Sequence, residues 1–469
     1  VFILTRLALT VLAAVALASC TLGPNYSRPP VELPAAHRGA ATAEPTPGSL
    51  ADLKWFELFR DEQLTRLVSA ALDQNFELRI AAERVLQARA AYGIRRSDQF
   101  PTLDGSVALT TARGSQVGST RAIPTGVSTG VSYTEAGFSL GWELDVWGRL
   151  RRLSESARAE YLATEDARRG VITTLVADVT DNYLALRALD QELEIATRTR
   201  ELATDGLRLT EARRRGGVAS GLDVRQAEQL LYTATGRIAG LEREIAQAEN
   251  ALNLLAGRLP GDIDRGRPLE GLQAPPDIPA GLPSALLERR PDIRQAEQEL
   301  IAANARIGAA KAEYFPRISL TGVFGVQSRA LGDLLTGRAV AASAGLGAAA
   351  PIFNAGRTRA NVALTEAAQR EALVHYQRAI YAAFRDVSDA LVACSRTTEE
   401  RAAQARLVET LRAAVQLSTE RYRGGLDSYL PVLDAQRNLF DGELALARLH
   451  ARELSAVVQL YRALGGGWS

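Results

Sequence analysis

Methionine is absent from this 469-residue chain, lysine occurs only at Lys54 and Lys311, and cysteine only at Cys20 and Cys394. Two cysteines exclude a disulfide scaffold and a cysteine-based zinc site. The histidines (His37, His375 and His450) are scattered, so no metal site is expected. Charge of one sign is also missing, with 55 Lys+Arg against 54 Asp+Glu. Nothing here would neutralise a run of phosphates, and nucleic acid is not an expected partner. Beyond the N-terminus no apolar run reaches the ~18 residues of a membrane-crossing helix. Gly345 and Gly347 make half of a dinucleotide-binding fingerprint, but Pro351 follows and no helix start is near. No G-x-S-x-G or H-E-x-x-H occurs, and the many carboxylates stand near Arg at helical spacing, as on a solvated face. The reading is therefore of a protein that is not an enzyme, with no catalytic, cofactor-binding or metal-ligating residues assigned.

What is present begins with an address label. Arg6 precedes the apolar run Leu7 to Ala18, and Leu17-Ala18-Ser19-Cys20 follows. A basic start, a short apolar stretch and small residues before a cleavage point read as a signal peptide, residues 1–19. Cys20 stands where a bacterial lipobox places its lipidated cysteine, and Thr21 after it favours the outer membrane. Removing residues 1–19 takes away Arg6 and leaves 54 basic against 54 acidic residues. Residues 20–62 read as a lipidated N-terminal tether, extended and with little scope for packing through its Pro-rich part, 23–48.

The rest of the chain is written twice. Leu72–Arg79 lines up with Leu287–Arg294 at an offset of 215, which also carries Gly93 onto Gly308 and Phe100-Pro101 onto Phe315-Pro316. An offset of 208 carries Gly148-Arg149 onto Gly356-Arg357, Gly216-Gly217 onto Gly424-Gly425, Ser220 onto Ser428 and Gly257 onto Gly465. A fixed offset over that length marks an internal duplication. The reading places repeat 1 at 63–258, with a hairpin at 102–147, and repeat 2 at 283–469, with a hairpin at 317–353. A Pro-rich connector, 259–282, joins them.

Each copy reads as helix, β-hairpin, long helix, helix. Proline is absent from 125–259 and from 352–430, and Ala, Leu, Glu and Arg dominate both windows. Ile172, Val176, Val179, Tyr183, Leu186 and Leu193 follow a 3–4 spacing of coiled-coil type. A helix from about 148 to 213 would span ~100 Å, and helices at 64–98 and 221–256 about half that each. Gly216-Gly217 ends the long helix, with Arg213 to Arg215 at its negative dipole end. Ser220 with Asp223 reads as the cap of the return helix, and Ser428 as its counterpart before Pro431. In the hairpins, Phe138, Leu140, Trp142, Leu144 and Val146 alternate with Ser139, Gly141, Glu143 and Asp145. Ile318, Leu320, Phe324 and Val326 alternate with Ser319, Thr321 and Gln327. A strand at 343–353 is expected to place Leu346 and Ile352 on one face. Strands of ~10 residues with one apolar and one polar face are the pattern of a membrane barrel. Trp142, Trp147 and Phe315 are candidate interfacial aromatics. Four strands close no barrel, so closure calls for more copies: two would give eight strands with a filled interior, three would give twelve and a channel.

On these residues the sequence resembles the TolC/OprM-type outer membrane factors, in the lipoprotein (NodT-type) branch serving tripartite efflux pumps. The resemblance rests on Cys20 with Gly23-Pro24-Asn25-Tyr26-Ser27-Arg28-Pro29, Trp55-Phe56 through Phe59-Arg60-Asp61, and Glu288–Arg294. It continues through Phe315-Pro316, Arg421–Gly425 and Val432–Gln436. It implies a homotrimer, with a 12-stranded β-barrel in the outer membrane and a long all-α barrel in the periplasm. It implies a passive conduit for drugs or other small molecules, reached through a periplasmic adaptor from an inner-membrane transporter of the RND type. The tips Gly216, Gly217, Val218, Ser220, Gly424, Gly425, Leu426 and Ser428 would meet the adaptor. Leu430 and Asp434 would line a periplasmic gate, and Cys20 would carry lipid into the outer membrane. A type I protein-secretion conduit, or a poreless structural lipoprotein of the periplasm, is the alternative reading.

Overall fold

A computed structural model of the chain describes residues 21–31, 34, 36–39, 49–113, 130–273, 281 and 283–468. Cys20 and the leader lie outside the described residues. The chain divides into two compact units. One comprises the described residues among 21–29, 86–163 and 297–375; the other comprises those among 30–85, 164–296 and 376–468.

The elements, in order, are α1 (Glu62–Gln74), α2 (Phe76–Ser97), β1 (Thr102–Arg113), β2 (Gly130–Leu144), α3 (Arg149–Arg215) and α4 (Gly221–Leu255). The second set is the single turn α5 (Leu286–Arg289), α6 (Pro291–Ala312), β3 (Arg317–Ser328), β4 (Val340–Ala349), α7 (Arg357–Arg423) and α8 (Leu430–Ala463). The duplication is visible in the lengths. Helices α2 and α6 both have 22 residues, strands β1 and β3 both have 12, and helices α3 and α7 both have 67. A 67-residue helix is ~100 Å long.

Three local expectations are corrected. The helix expected at 64–98 is two helices, because Asn75 offers its side chain as a substitute for the backbone ladder. Its Oδ1 accepts from the Leu78 N–H at 3.0 Å, and its Nδ2 donates to the Leu255 carbonyl at 2.9 Å. The last strand ends at Ala349, so Ile352 lies beyond it; Pro351 has no N–H for a ladder. The tether is also less free than its prolines suggest, since Leu22 to Arg28 hydrogen-bond to the folded chain.

In the first unit the four strands form one antiparallel meander, β1-β2-β3-β4. Pairing sets Leu103, Leu140 and Gly322 in one row, and Gly105, Phe138, Phe324 and Ala342 in the next. In the second unit the main core gathers Val68, Tyr183, Leu184, Val387, Leu460 and their neighbours. Asp61 ties this core together. Its Oδ1 caps α1 at the Leu64 N–H (2.8 Å), and its Oδ2 accepts from the Arg267 N–H at 2.7 Å. The Tyr183 hydroxyl accepts from the Gly266 N–H at 2.9 Å, and burial pushes it up to about 12.

Candidate functional site

The sheet presents two unlike faces. Paired residues share a face, so the register puts Leu103, Val107, Phe138, Leu140, Phe324 and Leu346 on one side. Leu103, Val107, Phe138, Phe324 and Leu346 are all exposed in the single chain. The opposite side carries Asp104, Ser106, Glu135, Ser139, Thr321 and Gln327, with glycines between them. Gly137 and Gly325 are paired on this polar side. A Cβ on Gly325 would lie 2.5 Å from the Ala136 carbonyl oxygen, closer than atoms can approach. The two backbones approach so closely here that only glycine fits at this pair. Where β2 runs toward α3, Arg149 grips Glu143 with two bonds of 2.9 and 2.7 Å.

The two helical hairpin tips, in the second unit, repeat each other bond for bond. At the first, the N–H groups of Gly217 and Val218 donate to the carbonyls of Arg214 (3.0 Å) and Arg213 (2.9 Å). At the second, Gly425 and Leu426 donate to Tyr422 and Arg421, both at 3.0 Å. This double closure is the Schellman arrangement, which needs a left-handed residue; Gly217 and Gly425 supply it at φ 76° and 74°. A Cβ on either glycine would meet no atom within 4 Å, so both tips stand open. Val218 and Leu222 at one tip, and Leu426 and Leu430 at the other, are exposed apolar side chains in equivalent positions.

The starts of the return helices differ. Ser220 caps α4 as expected: its Oγ accepts from the Asp223 N–H, while Asp223 Oδ2 accepts from the Ser220 N–H at 2.7 Å. Ser428 does not cap α8. The cap position falls on Tyr429, whose side chain makes no capping bond; its ring is buried beside Tyr422, 5.3 Å away. Arg213 lies 4.4 Å over the Tyr422 ring and donates to the Tyr422 carbonyl at 2.9 Å, joining the two hairpins. Tyr422 and Tyr429 correspond to Arg214 and Gly221 in the first copy. Sequence reasoning did not single them out; their departure from the repeat was the available signal. Arg421 grips Asp427, and that hydrogen bond holds the carboxyl below its usual range.

Leu430 and Asp434 share one exposed face of α8, while Val432 and Leu433 between them are buried with Tyr422 and Tyr429. Farther along, two buried carboxylates each hold two arginines. Glu443 accepts from Arg198 and Arg412, both at 2.7 Å. Glu192 accepts from Arg237 at 2.6 Å and Arg448 at 2.7 Å. These ties bind α3, α4, α7 and α8 in one register. Among the described residues no group of three His, Cys, Asp or Glu could hold a metal ion. Burial pushes the Cys394 thiol up to about 11, which suits a packed side chain rather than a nucleophile. No described helix is long and apolar enough to cross a membrane.

Known proteins share this architecture. The family model described as outer membrane efflux protein matches residues 67–258 and 282–466. The solvent efflux pump outer membrane protein SrpC of Pseudomonas putida is 40% identical over 468 residues, covering 98% of each chain. The outer-membrane channel OprN superimposes with a TM-score of 0.88 at 31% identity, over 96% of this chain and 100% of that one. The open state of the Neisseria gonorrhoeae MtrE outer membrane channel gives a TM-score of 0.85 at 31% identity, over 96% and 99%. With its duplicated helix–hairpin plan and two-faced sheet, the chain belongs to the outer membrane efflux protein family and is a protein of the outer membrane.

Proposed function

We propose that three copies of the chain close their sheets into a 12-stranded barrel and form a passive efflux conduit for drugs or other small molecules. The observation that carries this is the sheet itself. It has an exposed apolar face, an opposite face of polar and small residues, and two edges, β1 and β4, with no further strand beside them among the described residues. Open edges call for partners, and copies of the same strands supply them. A poreless spacer has no use for such a sheet. The exposed tips, with Val218, Leu222 and Leu426, dock a periplasmic adaptor, which connects the conduit to an inner-membrane pump of the RND type. Lipid on Cys20 anchors each copy in the outer membrane. Leu430 and Asp434 form stacked rings on the axis, where apolar residues gate by dewetting and carboxylates favour cations. The test is the mass of the detergent-solubilised protein together with single-channel recording. Three protomers and discrete conductance steps are expected; one protomer, or no conductance, overturns the reading.

A further inference from the structure

The two ends of the sheet differ. Thr102, Leu144, Arg317 and Ala349 lie where the strands meet helices, whereas Arg113, Ser328 and Val340 lie at the opposite, free end. Successive pairings carry the apolar face across all four strands. Among the described residues that face holds no carboxylate and one charged side chain, Arg113, in its last row. From Leu103 to Arg113 the strand runs ~34 Å, or ~25 Å in height at a barrel's tilt. That is the height of a lipid-facing apolar band, so Arg113 stands at its outer rim. At the same end the β3–β4 loop, 329–339, is a chain of tight turns. The N–H groups of Leu334, Thr336 and Ala339 donate to the carbonyls of Leu331 (3.2 Å), Asp333 (3.0 Å) and Thr336 (3.0 Å). These turns nonetheless leave Leu331 73% and Leu335 93% exposed. Arg329 and Arg338 bracket the loop, against one carboxylate, Asp333. Like Arg113 they are exposed, and among the described residues none of the three arginines has a hydrogen bond or an ion pair. Lower on the apolar face, Val107, Phe138, Phe324, Val326 and Val340 line an open apolar depression of about 470 Å³. Val107 lies ~20 Å along the strand from Arg113.

We propose that the free end of the sheet seats a phosphorylated, multiply acylated glycolipid of the outer leaflet, its phosphates on Arg113, Arg329 and Arg338 and an acyl chain in the depression beside Phe138 and Phe324. The proposal rests on the barrel reading above, which turns the apolar face to lipid and the free end outward. Guanidinium groups present paired N–H donors that match phosphate oxygens, and three of them at one rim suit a headgroup with more than one phosphate. Unpaired arginines beside exposed leucines, above a face without carboxylates, complement an anionic headgroup joined to apolar chains. Leu331 and Leu335 then lie against the upper parts of those chains, and a chain descending from the rim reaches the depression. The lipid would hold the β3–β4 loop at the membrane surface, away from the channel mouth.

The test is native mass spectrometry of the full chain, extracted from the outer membrane and delipidated in a neutral detergent. Diphosphorylated lipid A, its fully dephosphorylated form, or phosphatidylglycerol is then added, one at a time. Diphosphorylated lipid A should bind about tenfold or more tightly than either of the others, the difference that charge-assisted bonds to a second phosphate make. Arg113→Gln should weaken it about fivefold, and Arg113→Gln with Arg329→Gln and Arg338→Gln about a hundredfold. Arg208→Gln, at an exposed position of α3, should leave binding unchanged. Leu335→Ser should weaken diphosphorylated and dephosphorylated lipid A alike, because it removes an apolar contact and no charge. If the triple variant fails to assemble, the ranking of the three lipids on the wild-type oligomer decides. Equal binding of phosphatidylglycerol and diphosphorylated lipid A, or a triple variant that binds as the wild type does, overturns the seat and leaves the barrel standing. Masses of a single protomer in every spectrum overturn both.

Discussion

Gly137 on β2 and Gly325 on β3 face each other so closely that a Cβ on Gly137 would lie 2.7 Å from the Gly325 Cα. The pair lies on the polar side of the sheet, where only glycine fits. Gly325→Val would force the strands apart at a cost of about 1–3 kcal/mol for overpacking. We expect it to reduce the yield of assembled oligomer in the outer membrane. Gly322→Val is the control, because on the apolar side a Cβ there meets its nearest atom at 3.7 Å, an ordinary contact. Equal oligomer yields for the two variants, on detergent gels, would show that assembly does not depend on the close approach at Gly325.

At the tips the expected effect is on partnership rather than on folding. A bulky residue at Gly217 or Gly425 has open space around it, and a left-handed conformation costs an L-residue about 1–2 kcal/mol. Gly425→Trp should therefore leave assembly intact while abolishing pump-dependent resistance in a strain lacking the native gene. Full resistance with this variant would separate the tip from the adaptor.

Asp434 and Leu430 stand four residues apart on the exposed side of α8. Asp434→Ala should weaken cation selectivity, and block by divalent ions from the periplasmic side, in planar bilayers. Leu222 and Gln226 hold the matching places in the first copy, so a change in Gln226 should leave selectivity alone. Wild-type conductance, selectivity and block in Asp434→Ala would reduce the carboxylate to a helix-end residue favoured by the dipole.

His37 is buried against Phe384, and neither ring nitrogen has a hydrogen-bond partner. Burial lowers its pKa from 6.5, favouring the neutral ring in the folded chain. Above pH 6.5 the ring is neutral in both states and costs nothing. As the pH falls through 6.5 the unfolded chain takes up the proton first, so stability declines until the folded-state value is passed. His37→Phe should remove that part of the acid sensitivity. A fall in melting temperature between pH 7.5 and 5.5 that matches the wild type would show that His37 is not its source.

The sequence by itself carried the repeat, the long helices and the sheet's two faces. Each depends on local periodicity: 3.6 residues for a buried helical stripe, two for a strand between unlike surroundings. Gly217, Gly425 and the Ser220–Asp223 cap were legible for the same reason, since each solves a backbone problem within five residues. The tertiary structure decided what distant residues do to one another. Asn75 broke a helix because Leu255 offered a carbonyl across the unit. The cap position moved from Ser428 to Tyr429, whose ring packs on Tyr422. Glu192 and Glu443 looked like solvated carboxylates, yet each is buried between arginines, two of the four lying more than 240 residues away. The segment after Cys20 looked like a loose proline-rich tether, yet its bonds reach residues 120 or more positions along the chain. Pairings of that kind leave no period in a sequence, because the energy of a buried charge or a filled notch depends on which surface folding brings against it.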